Sequence, residues 1–223
     1  YGFNPNISSW SCYHGSIYAV VESISKIVAM GSDYKKIRFS FQEYFEKLLD
    51  KPSKWGKPFA SLLGAYRVQK ELNLPSIGGK DSMSGSFEDL NVPPTLVSFA
   101  ITHEDVDNIV TPELKDANHL LVEVVLPKDE YHLFDYNVLK EAYSYIYNLV
   151  KEHKVYSSYT IKDGGIIEAI YKMAFGNAIG VEINGELSLT ELIKKNYGNI
   201  VVEVENDDVV TFANARIIGH TND

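Results

Sequence analysis

Two glycines, a lysine, an aspartate and a serine follow one another at Gly78–Ser82, and these residue types can bind a phosphate group with its metal ion. Adjacent glycines allow positive φ angles and a close approach of a ligand, and the amides of such a turn can bind an anion. Lys80 adds a positive charge, Asp81 a carboxylate for magnesium, and Ser82 a hydroxyl. The spacing is not that of a P-loop, and a plain glycine turn with a solvated lysine and aspartate has the same residues.

A second glycine pair, Gly164–Gly165, follows Asp163 at the expected start of a helix. A helix N-terminus carries partial positive charge and free amide groups, which suit a phosphate. The same residues also fit an aspartate N-cap with a tight glycine turn. Glu22 and Lys26 are four residues apart on another predicted helix, a spacing that is typical of a surface ion pair.

Hydrophobic periodicity predicts a chain of mixed helices and strands. The predicted helices cover 15–30, 41–49, 57–72, 137–152, 166–175 and 188–195, and the predicted strands cover 36–40, 75–77, 95–101, 119–126, 155–161, 178–183, 200–205 and 216–219. The acidic stretch 102–115 matches no metal-ligand spacing and is interpreted as a solvated connection. We therefore predict an α/β (α+β) fold in two domains, 1–115 and 116–223, with mixed sheets that are each covered by a layer of helices.

Composition excludes several classes of protein. The chain has 223 residues, a net charge of −9 and a pI of about 5.2, so a nucleic-acid partner is not expected. The single cysteine, Cys12, suits a reducing cytosol and excludes an internal disulfide framework. No apolar run approaches the length of a membrane span, so no membrane partner is expected either.

Five motifs together resemble phosphoribosylformylglycinamidine synthase, in its large single-chain form, over nearly the whole chain. In order they are Gly78–Ser84 (GGKDSMS), Val92–Ser98 (VPPTLVS), Val110–Lys115 (VTPELK), Asp163–Gly165 (DGG) and Met173–Asn177 (MAFGN). The resemblance implies a fold like that of aminoimidazole ribonucleotide synthetase. Residues 1–115 then correspond to the second N-type domain of the synthase core, incomplete at its N-terminus, and 116–223 to the second C-type domain.

The resemblance also implies a function in purine biosynthesis. The family is a cytoplasmic ATP-dependent ligase that converts formylglycinamide ribonucleotide to formylglycinamidine ribonucleotide, with glutamine as the nitrogen donor. This chain would supply part of a composite site, alongside the remaining synthase core and a glutaminase domain of the same full-length protein. It has no counterpart of the catalytic histidine loop or the glutaminase cysteine, so we expect the fragment alone to be inactive. Because N-type domains of the superfamily pair through sheet edges, we also expect it to self-associate.

The implied ligands are ATP and magnesium, and no catalytic residue is assigned within the chain. The resemblance assigns nucleotide contacts to Gly78, Gly79, Lys80, Gly164 and Gly165, substrate contacts to Ser82 and Gln42, and metal contacts to Asp81 and Glu22. In the small form of the family an asparagine that binds metal stands at the position of Lys80. The large form also holds ADP at an auxiliary magnesium site, and there this chain has Lys26 in place of an asparagine and Thr160 in place of an aspartate.

Two other interpretations fit the sequence. The chain could be a non-catalytic scaffold that binds a structural nucleotide or only packs against the rest of the core. It could also be another member of the superfamily, such as selenophosphate synthetase or a hydrogenase maturation factor, although the motifs at 78–82 and 111–115 argue against this.

Overall fold

The computed structural model describes all 223 residues, which form two compact units. Unit 1 comprises residues 1–24 and 35–102, and unit 2 comprises residues 25–34 and 103–223. The helices are α1 (Pro5–Trp10), α2 (Cys12–Ala29), α3 (Pro52–Leu72), α4 (Tyr136–Lys151), α5 (Gly165–Asn177) and α6 (Leu189–Leu192). The strands are β1 (Arg38–Tyr44), β2 (Ser76–Ser82), β3 (Ser86–Phe87), β4 (Leu90–Asn91), β5 (Thr95–Ile101), β6 (Leu120–Val124), β7 (Ser157–Thr160), β8 (Gly180–Ile183), β9 (Ile200–Val204) and β10 (Ala215–Asn222). None of the helices combines the length and the hydropathy that a membrane span requires.

Unit 1 contains a three-stranded mixed sheet in the order β2-β1-β5. The central strand β1 runs parallel to β2 and antiparallel to β5. Along β1, Phe39 and Phe41 are buried, whereas Ser40 and Gln42 on the opposite face are only partly buried. We call these two sides the buried face and the open face of the sheet.

The predicted helix over 41–49 is wrong, because β1 continues to Tyr44 and an irregular segment follows it. Hydrogen bonding to strands on both sides favours the extended conformation, whatever the local helix propensity. Alternating burial of Phe39, Phe41 and Phe45 is the period-two signal that the prediction missed.

Unit 2 contains a five-stranded sheet in the order β7-β9-β6-β10-β8, and every neighbouring pair is antiparallel. Here the mixed sheet that we predicted is replaced by a wholly antiparallel one. Helix α5 packs on one face through Ile166 and Met173, which join Leu121, Val201 and Ile218 in a buried cluster. The predicted helices over 137–152 and 166–175 are confirmed as α4 and α5.

Glu203 on β9 is fully buried in unit 2, and its carboxylate is well supplied with donors. It accepts hydrogen bonds from the backbone amides of Lys115 (3.0 Å) and Asp116 (3.2 Å). The Ser157 hydroxyl donates to it at 2.6 Å, and Nδ1 of His119 lies 2.9 Å away. A buried carboxylate with this many partners anchors the segment that leads into β6.

The acidic stretch 102–115 is only in part the solvated connection that we expected, because residues 105–107 are exposed but the end of the stretch is anchored in unit 2. Val110 and Leu114 are buried, and the Leu114 amide donates to the carbonyl of Met173 in α5 at 3.0 Å. Unit 2 therefore begins along the chain before Asp116, where we placed the boundary between the domains.

Candidate functional site

The glycine-rich motif of unit 1 is a strand and not a turn, which corrects our prediction for residues 78–82. Gly78 and Gly79 lie within β2 and pair in parallel register with β1. The glycines with positive φ angles are Gly31, Gly165 and Gly198. The motif therefore does not use the left-handed conformations that a turn-type anion nest would need.

The open face of the unit 1 sheet carries four of the predicted site residues, namely Gln42, Gly78, Lys80 and Ser82. Lys80 lies opposite Gln42 in the register of β1 and β2, and Ser82 lies opposite Tyr44. Gln42 stands between the buried side chains of Phe41 and Glu43, so strand alternation directs it to the open face. Gln42 and Ser82 are half-buried and Lys80 is exposed, which leaves all three accessible to a ligand.

Gly79 and Asp81 of the motif lie on the opposite face. Gly79 pairs with Phe41 and Asp81 pairs with Glu43, so both belong to the buried face of the sheet. A Cβ atom at Gly79 would lie 2.6 Å from the carbonyl oxygen of Phe41, whereas one at Gly78 would have no atom within 4 Å. The space beside Gly79 is thus taken by the backbone of β1. Asp81 lies on the other face of the sheet from Lys80.

Glu43 is a notable residue that sequence reasoning did not single out. Its side chain is buried, with 1% of its surface exposed, and neither carboxylate oxygen has a hydrogen-bond partner. Burial raises the pKa of the Glu43 carboxyl from 4.5 to about 7. The Ser61 hydroxyl, itself 2.6 Å from that of Ser16, lowers this pKa, and the nearby Asp81 carboxylate raises it. The sequence did contain a signal for this buried carboxyl, because Glu43 interrupts the alternating phenylalanines Phe39, Phe41 and Phe45.

The second glycine pair, Gly164 and Gly165, makes close contacts with other residues of unit 2. The amide of Gly164 donates to the Glu168 carboxylate at 2.7 Å, so the first turn of α5 already has an anion. Gly165 has φ +70°, and a Cβ there would lie 2.4 Å from the carbonyl oxygen of Leu192. Asp163 does not cap α5, because its carboxylate accepts a hydrogen bond from the Tyr197 hydroxyl at 2.6 Å. The role of Gly164 and Gly165 in nucleotide binding stays a prediction.

The residues implied in magnesium binding do not converge on one centre. Glu22 accepts a hydrogen bond from the Phe3 amide at 3.2 Å. Lys26 and Thr160 line a cavity in unit 2, and Glu22 is not among the residues of its wall. Nowhere in the chain do three or more His, Cys, Asp or Glu side chains form a group that could hold a metal ion.

No protein-family model matches the chain. Among curated proteins it is similar to the phosphoribosylformylglycinamidine synthase subunit PurL of Picrophilus torridus, with 25% identity over 248 aligned positions covering 100% of this chain and 32% of the relative. The same subunit of Methanococcus aeolicus is also 25% identical, over 97% of this chain and 33% of the relative. The chain thus spans about a third of the length of these relatives.

Solved structures show the same relationship at the level of the fold. Thermotoga maritima PurL complexed with FGAR superposes with a TM-score of 0.77 at 12% identity, covering 100% of this chain and 41% of that one. The hydrogenase maturation protein HypE of E. coli gives a TM-score of 0.70 at 14% identity, covering 93% of this chain and 73% of that one. The fold is therefore the α/β fold of aminoimidazole ribonucleotide synthetase and its relatives. The chain is thus similar, over 97–100% of its length, to about a third of the phosphoribosylformylglycinamidine synthase subunit PurL.

Proposed function

We propose that this chain supplies part of the composite active site of an ATP-dependent ligase that converts formylglycinamide ribonucleotide to formylglycinamidine ribonucleotide. The curated relatives are subunits of this synthase, and Thermotoga maritima PurL has been solved with ATP and with FGAR. In this reaction phosphoryl transfer from ATP activates the formamide oxygen, and ammonia then displaces the phosphate. Most of the catalysis comes from positioning and from neutralising charge, so residues that hold phosphate groups matter most.

The open face of the unit 1 sheet carries this proposal. The Lys80 ammonium, the Ser82 hydroxyl and the Gln42 amide are all on this face, and none of them is fully buried. Lysine binds a phosphate as a point charge, and a serine hydroxyl can donate one hydrogen bond to a phosphate oxygen. We assign Ser82 and Gln42 to the substrate, and Gly78, Gly79 and Lys80 to the nucleotide.

Magnesium would be held mainly outside this chain. Magnesium in phosphoryl-transfer sites commonly uses one or two carboxylates together with the phosphates of the substrate. Asp81 is our candidate here, with Glu43 beside it, while Glu22 is already engaged with the Phe3 amide. We propose that the remaining synthase core provides the other ligands and the catalytic groups, that a glutaminase domain provides ammonia from glutamine, and that the enzyme works in the cytoplasm.

The test is steady-state kinetics on the full-length protein with Ser82→Ala. A hydrogen bond to a charged group contributes roughly 1.5–3 kcal/mol, so we expect kcat/KM for the substrate to fall about tenfold to a hundredfold. Ser84→Ala, two residues further along the chain and exposed, is the matched control and should behave as wild type. Wild-type kcat and KM for both substrate and ATP in Ser82→Ala would refute the assignment and favour a scaffold role.

We propose that the isolated chain does not turn over substrate even with ammonia in place of glutamine, because it supplies only part of the composite site. The outer edge of β2 has no partner strand in unit 1, and six of its seven residues are exposed. Unpaired strand edges promote association, so we propose that the fragment self-associates through this edge. Sedimentation velocity should then show dimers or larger species, and a clean monomer at high concentration would contradict the idea.

A further inference from the structure

A cavity of about 400 Å³ lies within unit 2, beside the end of α2 and the strand β7. Its walls are largely apolar, with Met30, Ile109 and Pro112 among the lining residues. Tyr159 is also among the lining residues and brings an aromatic ring to the wall. A cavity of this size and lining suits a small molecule with a flat apolar part.

The charged side chains in the wall of the cavity are both positive. Lys26 and Lys162 line it, and no acidic residue does, although the chain as a whole carries −9. The Lys162 ammonium lies 5.2 Å from the centre of the Tyr159 ring and 3.4 Å from its hydroxyl. The remaining polar groups of the wall are the hydroxyls of Thr111, Ser158 and Thr160, besides the tyrosine. Two ammonium groups in a partly apolar cavity favour an anionic ligand.

The same cavity is poorly suited to a divalent cation. The resemblance implies a magnesium site made by Glu22, an asparagine at the position of Lys26 and an aspartate at that of Thr160. An ammonium group cannot coordinate a metal ion and repels it, and magnesium prefers carboxylate oxygens to a neutral threonine hydroxyl. Glu22, the one carboxylate left, does not line the cavity. The residues present therefore do not fit magnesium.

We infer that this cavity binds an anionic small molecule with a flat apolar part without any divalent cation, and that Lys26 and Lys162 supply the positive charge instead. The ammonium groups neutralise the anion directly, and Tyr159 packs against the flat part of the ligand. All of the lining residues belong to unit 2, whereas the proposed substrate contacts belong to unit 1. Ligand binding at the cavity can therefore be measured independently of the proposed catalytic function.

Calorimetric titration of the full-length protein with ADP tests this inference, in EDTA and in excess magnesium. We expect a class of ADP sites whose dissociation constant agrees within about twofold in the two conditions. Lys26→Met and Lys162→Met should each weaken this binding about tenfold to a hundredfold, as for the loss of one charged contact. Lys172→Met is the matched control, because Lys172 also approaches the Tyr159 ring, at 5.7 Å, but does not line the cavity. Lys80→Met should leave this class of sites unchanged, and because Lys80 is the side chain that we assign to the nucleotide at the open face, this variant separates the cavity from that face.

A double variant provides a converse test. Lys26→Asn combined with Thr160→Asp removes one ammonium group and adds a carboxylate at two positions where the resemblance implies metal ligands, so ADP binding at the cavity should become dependent on magnesium. Thermal unfolding of each variant, without ligand, checks that it is folded. Two results would overturn the inference. One is the absence of ADP binding to the wild type in EDTA, and the other is unchanged ADP binding in both folded lysine variants.

Discussion

Replacement of Glu43 by leucine should make unit 1 more stable, and increasingly so as the pH rises. The carboxyl group of Glu43 is buried on β1, and neither of its oxygens has a hydrogen-bond partner. A buried polar group without a partner costs free energy, whereas an apolar side chain at the same place contributes favourable burial. The strand already places Phe39, Phe41 and Phe45 on this side, so leucine suits the surroundings.

The pH dependence follows from the pKa of Glu43, which burial raises to about 7 from 4.5. The folded state binds this proton more tightly than the unfolded state. The stability that the protonated Glu43 carboxyl contributes is therefore fully present below about pH 4.5 and is lost as the pH rises through 7. At 1.36 kcal/mol per pKa unit, the rise corresponds to about 3 kcal/mol. The neighbouring Asp81 is exposed and solvent screens its charge, so we expect about 1–2 kcal/mol between pH 5 and pH 8.

The assay is urea-induced unfolding of the wild type and Glu43→Leu at both pH values, monitored with a probe in unit 1. The difference in free energy of unfolding between the two proteins cancels most other titrating groups. This difference should grow by about 1–2 kcal/mol in favour of the variant from pH 5 to pH 8. Gln42→Leu, on the adjacent residue of the open face, is the control and should show a difference that does not depend on pH. A constant difference for Glu43→Leu, or a variant that is less stable at pH 8, would refute the reasoning.

Two further substitutions test the packing of each unit. Glu203→Gln places an amide donor against the donors that surround this buried carboxylate, so it should lower the free energy of unfolding by about 3 kcal/mol, measured by thermal or chemical unfolding. Glu205→Gln is the control and should have little effect, because Glu205 is exposed. Gly79→Val adds a Cβ that would lie 2.6 Å from the carbonyl oxygen of Phe41. This substitution should therefore lower the free energy of unfolding by about 2 kcal/mol or more. Gly78→Ala, which has open space around its Cβ, should stay within about 1 kcal/mol of wild type; equal losses at the two glycines would contradict this view of β2.

Elements with long periodic patterns were predictable from the sequence. The stripe of apolar residues in α2 and the amphipathic pattern of α4 both predicted helices near their observed bounds, and the apolar run of β5 predicted that strand at Thr95–Ile101. Residues 41–49 were not predictable in this way, because a short stretch fits both a helix and a strand until its neighbours are known. Pairing with β2 and β5, which is a tertiary effect, decides between them.

The candidate site was only partly predictable for a related reason. The sequence brings Lys80, Asp81 and Ser82 together along the chain, and a turn would let all three meet one ligand. In a strand, however, alternate side chains point to opposite faces, so Lys80 and Ser82 join Gln42 on the open face and Asp81 joins Glu43 on the other. A cation held by Asp81 would therefore meet the Glu43 carboxyl and not the ligand beside Ser82. On our proposal, a phosphate bound at the open face therefore takes its neutralising charge, within this chain, from Lys80, and most of the carboxylates for its metal ion come from elsewhere in the composite site.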